Sequence, residues 1–348
     1  MDPRRAVVAR CRRHRLTAAA AVLTLAVTGL AAPAAAAPEA APQTAPTALA
    51  ADGDGVFRFA VLPDTQQEVL NGTKDTRFTN RIQWLVDHKS QLDLRYVSSS
   101  GDVVGWDTAD HAQYKLTTPG VKLLDASGVP WSFSIGNHDT AAVGPGGGAR
   151  PGGNASIDVR NTKTFNAYYG VSHADNLVNS YKPAKIDNSY SMFTAEGTKW
   201  LILNIELWPR TEVVAWAQRV VAKYPGYNVA VVTHAMLNAD GSVQQNNGGY
   251  GANSPQYLLD NLVLKYRNVR FVFSGHAGTF GLRDLTGVNG NPVSLIQTTY
   301  HSNDDNPVRI VTVETANNRY SSVVYAPYSR KNYTDGSASN RSGMAWIR

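Results

Sequence analysis

From residue 56 onward the sequence predicts an α/β sheet protein. Short apolar runs rich in Val, Ile, Phe and Tyr alternate with amphipathic helical stretches. Five of those runs stop abruptly at a carboxylate, an amide or an imidazole. The segment is also long enough, at about 290 residues, to bury a core of its own without any cysteine to crosslink it.

Taken in order, the strands are expected at 57–64, 94–102, 129–139, 199–207, 227–235 and 269–278. Between them, "TRFTNRIQWLVDHKSQ" (76–91) puts Phe78, Ile82, Leu85 and Val86 on one helical face. Helical periodicity recurs over 212–224 and over 254–268, where Ser254 is placed to cap the N-terminus and Pro255 to occupy the first turn. Beyond the fifth motif, "SLIQTTY" and "VRIVTVETANNRYSSVVYAP" read as antiparallel strands, with a turn at Asn317-Asn318. Residues 329–348 are set apart as a C-terminal tail, leaving 56–328 as one catalytic-sized domain.

The N-terminus has a different composition. Residues 1–37 hold six arginines and Asp2, then an apolar stretch at 16–32, then small residues around Ala35-Ala36-Ala37. This is the layout of a secretory signal peptide and predicts an extracellular protein. The pair Arg12-Arg13 leaves twin-arginine export as an alternative to the general route. Residues 38–55, rich in Ala and Pro, are expected to be a disordered spacer. Removing the six arginines and Asp2 from the chain's 33 basic and 27 acidic residues leaves a net charge of +1. The basic pI therefore belongs to the leader. The remainder has no basic excess for nucleic acid or an anionic membrane. Cys11, the one cysteine, also lies in the leader, which excludes thiolate catalysis and cysteine-rich zinc sites.

The strand ends carry the chemistry. The strand at 57–64 delivers Asp64; that at 94–102, "SGD", Asp102; that at 129–139, "GNHD", Asn137, His138 and Asp139; that at 227–235 His234; and that at 269–278, "SGH", His276. In open α/β sheets, function gathers beyond the carboxyl ends of the strands, so these side chains are expected to converge. Gly101, Gly136 and Gly275 directly precede or adjoin them and allow close backbone approach. Any one of these residues alone is a common turn or core residue. The ordered set serves no core. His88, His111 and His173 fall away from strand ends and are read as structural or exposed. Trp106 and Tyr250 are read as packed under their loops. "VGPGGGARPGGNAS" (143–156) lacks the Lys-Ser/Thr of a phosphate loop and is expected to be a surface loop at the rim of the cleft.

The series Asp64, Gly101-Asp102, Gly136-Asn137-His138-Asp139, His234 and Gly275-His276 resembles the calcineurin-like metallophosphoesterase family, whose signature is D-x-H, G-D, G-N-H-D/E, H and G-H-x-H. The resemblance covers about residues 56–328. It implies two stacked mixed β-sheets flanked by helices, a four-layer αββα sandwich. It also implies a metal site made by Asp102, Asn137, His234 and His276, a donor set suited to Mn, Fe, Zn or Ni. It gives His138 the role of assisting the leaving oxygen and Asp139 that of orienting the His138 ring. The implied function is hydrolysis of small phosphate mono- or diesters by metal-activated water. The alternative is a degenerate, non-catalytic binding protein of the same fold; a weaker third reading is a hydrolase of a non-phosphate ester.

The sequence departs from the signature twice. Gln66 stands in "DTQ" and Gly278 in "GHAG" where the family has histidines. Both belong to the second metal site, which the resemblance builds on Asp64 and Asp102. Three outcomes stay open. The site holds a harder ion, Mg, Ca or Mn, through oxygens including Gln66; it is empty; or another residue replaces the lost ligand, for which His301 in "QTTYHSNDDN" is the candidate. The neighbouring "SNDDN" (302–306) reads as a solvated turn or a loose cation site.

Overall fold

The computed structural model describes residues 53–348 apart from Asn71, Ala174, Asp175 and Asn303. The expected leader, 1–37, and all but the end of the 38–55 spacer lie outside the described residues. That end is tied down: the backbone N–H groups of Gly53 and Gly55 donate to Glu196 Oε2 at 3.2 and 3.0 Å.

Two seven-stranded mixed sheets are drawn from different parts of the chain. The first takes β1 (Val56–Leu62), β2 (Leu94–Ser99) and β3 (Trp131–Phe133) from the N-terminal part. The second takes the middle: β4 (Leu177–Ser180), β5 (Ser189–Ala195), β6 (Thr198–Ile205), β7 (Asn228–Thr233), β8 (Val269–Ser274), β9 (Phe280–Thr286) and β10 (Pro292–Thr298). The chain then returns to the first sheet with β11 (Val308–Glu314), β12 (Arg319–Ala326), β13 (Lys331–Asn332) and β14 (Ser339–Ser342). The spatial orders are β13-β12-β11-β1-β2-β3, with β14 also on β12, and β4-β5-β6-β7-β8-β10-β9. Strands β1, β2 and β3 run parallel, as do β6, β7, β8 and β10.

Alternation of side chains builds the layers. On β1, Phe57, Phe59 and Val61 face the second sheet and pack with Trp200, Ile202, Phe271 and Phe273. Ala60 and Leu62 face the other way, onto Phe78, Ile82 and Leu85 of α1 (Arg77–Asp87) and Tyr114, Val121 and Leu124 of α2 (Ala112–Ser127). Two short helices follow, α3 (Ala155–Asp158) and α4 (Lys163–Tyr169). On the far side, Leu201, Leu203, Val229 and Val231 pack on Val213, Val214, Ala217 and Val221 of α5 (Thr211–Lys223), and on Leu258 of α6 (Pro255–Leu258). The result is the expected αββα sandwich. Phe59 and Trp200 lie between the sheets at 2 % and 0 % exposure; truncating either to alanine costs about 3–5 kcal/mol.

Three local expectations are corrected. Residues 254–268 do not form one helix. Ser254 caps α6 through Tyr257 N–H at 3.2 Å, but after Leu258 the chain widens into a π-helical turn, Leu259–Val263. Strand β10 does not join the C-terminal hairpin; it lies parallel to β8 and antiparallel to β9, in the other sheet. Residues 329–348 are not a tail beyond the domain, since β13 and β14 both pair with β12.

Candidate metal centre

The parallel strands β1, β2, β3, β7 and β8 end at one edge of the sandwich. Asp64, Asp102, Asn137, His234 and His276 follow their last residues by no more than four positions. Glycines let the connecting loops nest. A Cβ on Gly136 would stand 2.0 Å from Asp102 Oδ1, one on Gly275 1.9 Å from Asp64 Oδ1, and one on Gly101 2.5 Å from Gly136 N. No other residue type fits these contacts. Asp102 and His276 themselves have left-handed φ values of 51° and 74°, a strain that persists where surrounding structure holds it. Here Asp102 O accepts from Thr65 N at 3.0 Å, and His276 N donates to Asp64 Oδ2 at 2.9 Å.

Asp102, His234 and His276 each present a ligand atom within 4.8 Å of the others. His234 is fully buried. Its Nδ1 lies 3.0 Å from Ser100 O and therefore carries the proton. Its Nε2 then points a lone pair at Asp102 Oδ2, 2.9 Å away. Two lone pairs facing at that distance require a proton or a cation between them. Asn137 is flanked by two residues that touch Asp102: Gly136 by close packing, and His138 by donating its N–H to Oδ1 at 2.9 Å. Asn137 Oδ1 is buried with no hydrogen-bond partner among the described residues. Left dry, such an orphan costs about 1–3 kcal/mol.

The electrostatics follow the same lines. Burial works against a charge on His234, but Asp102 and Asp64 override it and lift the imidazole to about 9. His276, buried and repelled by His234, falls to about 4. Burial opposes ionisation of Asp102, yet the His234 and His138 imidazoles hold it well below the usual carboxylate range. The pocket thus accommodates one positive charge beside a carboxylate, which is the condition a bound cation would satisfy.

On the Asp64 side, burial raises the carboxyl, and the His234 and His301 imidazoles oppose that rise. The structure brings both Gln66 and His301 to Asp64: His301 Nε2 is 3.2 Å from Asp64 Oδ2 and 3.3 Å from Gln66 Nε2. Gly278 brings no side chain to Asp64. It has a φ of 62°, and a Cβ there would stand 2.4 Å from Ala239 Cβ. The described part of 302–306 is spent on structure: Ser302 Oγ accepts from the N–H groups of Asp304 and Asp305, and Asp305 Oδ2 accepts from Ser329 Oγ at 2.6 Å.

His138 lies beside these donors, with Nε2 4.0 Å from Asp102 Oδ2. The expected role of Asp139 is corrected. Its carboxylate accepts from Val103 N, Val104 N and Gly136 N at 2.9, 3.1 and 2.9 Å. It clamps the "SGD" loop to the "GNHD" loop. Burial and the Asp102 charge push it up to about 7, against the pull of the backbone donors. The His138 ring is oriented instead by Gly105 O, 2.6 Å from Nδ1.

The Gly-rich loop does come up to His138: a Cβ on Gly147 would stand 3.4 Å from His138 Cε1. Trp208 was not anticipated. It is buried, packs edge-on to His276 with ring centroids 5.2 Å apart, and lies tilted against Tyr250 at 4.7 Å. A signal existed, because Trp208 follows the most hydrophobic predicted strand, and β6 is a parallel neighbour of β7. His88, His111 and His173 bond to Trp84 O, Asp107 and Asp125, away from the site.

A buried carboxylate, an amide oxygen and two imidazoles are the donor chemistry of a divalent-metal centre, set here at one edge of an αββα sandwich. Residues 57–279 match the family described as calcineurin-like phosphoesterase, and the chain belongs to that family. It is 26 % identical over 272 residues to the uncharacterized protein YvnB of Bacillus subtilis; the match covers 74 % of this chain and 19 % of the length of YvnB. A dimetal phosphatase from Danio rerio is similar in structure at 11 % identity, covering 78 % of this chain and 96 % of that one, with a TM-score of 0.47.

Proposed function

We propose that the protein is an exported, metal-dependent phosphoesterase that hydrolyses small phosphate mono- or diesters. The observation that carries this reading is the set of donors Asp102, Asn137, His234 and His276, in which Asn137 Oδ1 and His234 Nε2 have no hydrogen-bond partner among the described residues, with His138 at their side. Those four residues would hold an ion such as Mn, Fe, Zn or Ni. When bound, such an ion makes a water acidic enough to attack near neutral pH and draws charge off the phosphate oxygens.

The chain's own residues supply the rest. Ser100 O fixes the His234 tautomer, leaving Nε2 as a donor atom. Gly105 O does the same for His138, so its Nε2 is the atom free to hold a proton for the leaving oxygen. Asp139 keeps the two loops in register so that His138 and Asp102 stay together. Export rests on the basic and apolar leader of residues 1–37.

The test is turnover of p-nitrophenyl phosphate and bis-p-nitrophenyl phosphate by protein supplied with Mn or Ni. Hydrolysis of at least one ester, lost on chelation, is expected. No turnover on a broad phosphate-ester panel with any divalent ion overturns the proposal.

A further inference from the structure

We infer that His301 supplies the nitrogen ligand of a second cation site, made with Asp64 and the Gln66 amide oxygen beside the Asp102 centre. The inference rests on the metal reading proposed above and adds residues to it. It starts from a conflict. As the Gln66 amide stands, no tautomer of His301 satisfies both neighbours. If Nε2 carries a proton, it suits Asp64 Oδ2 at 3.2 Å but meets the Gln66 NH2 at 3.3 Å. If Nε2 is bare, it suits the amide but faces a carboxylate. Meanwhile Asp64 Oδ1 and Gln66 Oε1 are both buried without a hydrogen-bond partner among the described residues. A cation ends the conflict, since turning the amide over offers it two kinds of oxygen and a bare imidazole nitrogen together. Such a set is richer in oxygen than its neighbour and suits Mn.

The loop that carries His301 is built to hold it there. Residues 299–307 are the crossing from β10 to β11, from one sheet to the other. The crossing is stitched to the strand end at Asp64, whose N–H donates to Thr299 O at 3.2 Å. Tyr300 adopts a left-handed φ of 46°, an uncommon state for an aromatic residue. It is held by its hydroxyl, which donates to Asp335 Oδ2 at 2.6 Å, and by the edge of Tyr333 at 4.8 Å. On the other side of His301, Ser302 O accepts from Arg77 Nη1 at 3.1 Å. A nitrogen from position 278 is closed off by Ala239, so His301 is the imidazole that reaches Asp64. Its side chain is 37 % exposed, which leaves it open to an incoming ion.

The experiment strips the full chain of metal and titrates Mn(II), reading stoichiometry and affinity by calorimetry and elemental analysis. The wild type is expected to bind two equivalents. His301→Ala and the bulkier His301→Gln are expected to keep the first step and weaken the second by at least about tenfold, with unchanged circular dichroism. Two equivalents at unchanged affinity in both variants overturn the role of His301. A single equivalent in the wild type, unaltered by either variant, overturns the second site while leaving the first. No Mn(II) bound at all overturns the metal reading itself, and the second site with it.

Discussion

Asp102 and His234 are held by backbone groups of neighbouring loops and His276 by its N–H to Asp64, whereas His301 hangs from a crossing loop whose Tyr300 is steadied by Asp335, 35 residues beyond it. The first group sits at strand ends where glycines admit no side chain and where His234 is wholly buried. The second combines one such strand-end residue, Asp64, with Gln66 on a 3-10 turn and with a half-exposed imidazole. One half of the centre is therefore a property of the sheets and the other of a loop. The two should differ in affinity, in order of filling and in tolerance of substitution.

The harshest break is His234→Ala. It removes a buried nitrogen and leaves Asp102 facing an empty volume. Loss of the tighter metal equivalent and a fall on the order of a thousandfold or more in kcat/KM are expected, checked by elemental analysis and steady-state kinetics with the circular dichroism unchanged. An unchanged rate and metal content would place the chemistry elsewhere. The next contrast separates chemistry from scaffolding within "GNHD". His138→Ala is expected to lower kcat by about 10²–10⁴-fold while metal content holds. Asp139→Asn is expected to act on stability. Its amide can still accept from Val103 and Val104, but its NH2 meets the Gly136 N–H. That costs about 1–3 kcal/mol, read as a lower urea midpoint. If Asp139→Asn instead lowered kcat as far as His138→Ala with the urea midpoint unchanged, the loop-clamp role would be wrong.

The strand-end half was legible in the sequence because its logic is local. A period-two apolar run fixes a strand, parallel strands share a carboxyl edge, and a polar residue one to four positions beyond the run must sit on that edge. Asp64, Asp102, Asn137, His234 and His276 needed nothing more. The loop half was legible only as a possibility. Where His301 points depends on the Tyr300 backbone and on Asp335, and neither contact leaves a periodic trace. The same limit explains the misplaced elements. Strands β4 and β9 are edge strands with mixed polar residues, as edges tend to be. The pairing of β10 with β8 depends on when the chain changes sheets, which hydrophobicity does not record. The role of Asp139 was misread because its neighbour in sequence, His138, is not its partner in space.

The contrast expected to act least on the metal centre, and the sharpest on why the two halves diverge, concerns Gly278. Its φ of 62° disfavours any side chain, and a Cβ would meet Ala239 Cβ at 2.4 Å. Gly278→Ala should destabilise the fold by about 2–4 kcal/mol, part from the left-handed backbone and part from the collision. Ala239→Gly in the same chain removes only the second part, so the double variant should recover roughly half of the loss, a coupling that urea denaturation of the four proteins of the cycle resolves. Metal stoichiometry should stay at the wild-type value throughout, because Gly278 offers no ligand. A neutral Gly278→Ala would mean that position 278 is free to carry a side chain. The missing histidine there would then be a dispensable substitution, and the crossing loop with His301 would no longer be the sole steric solution for bringing nitrogen to Asp64.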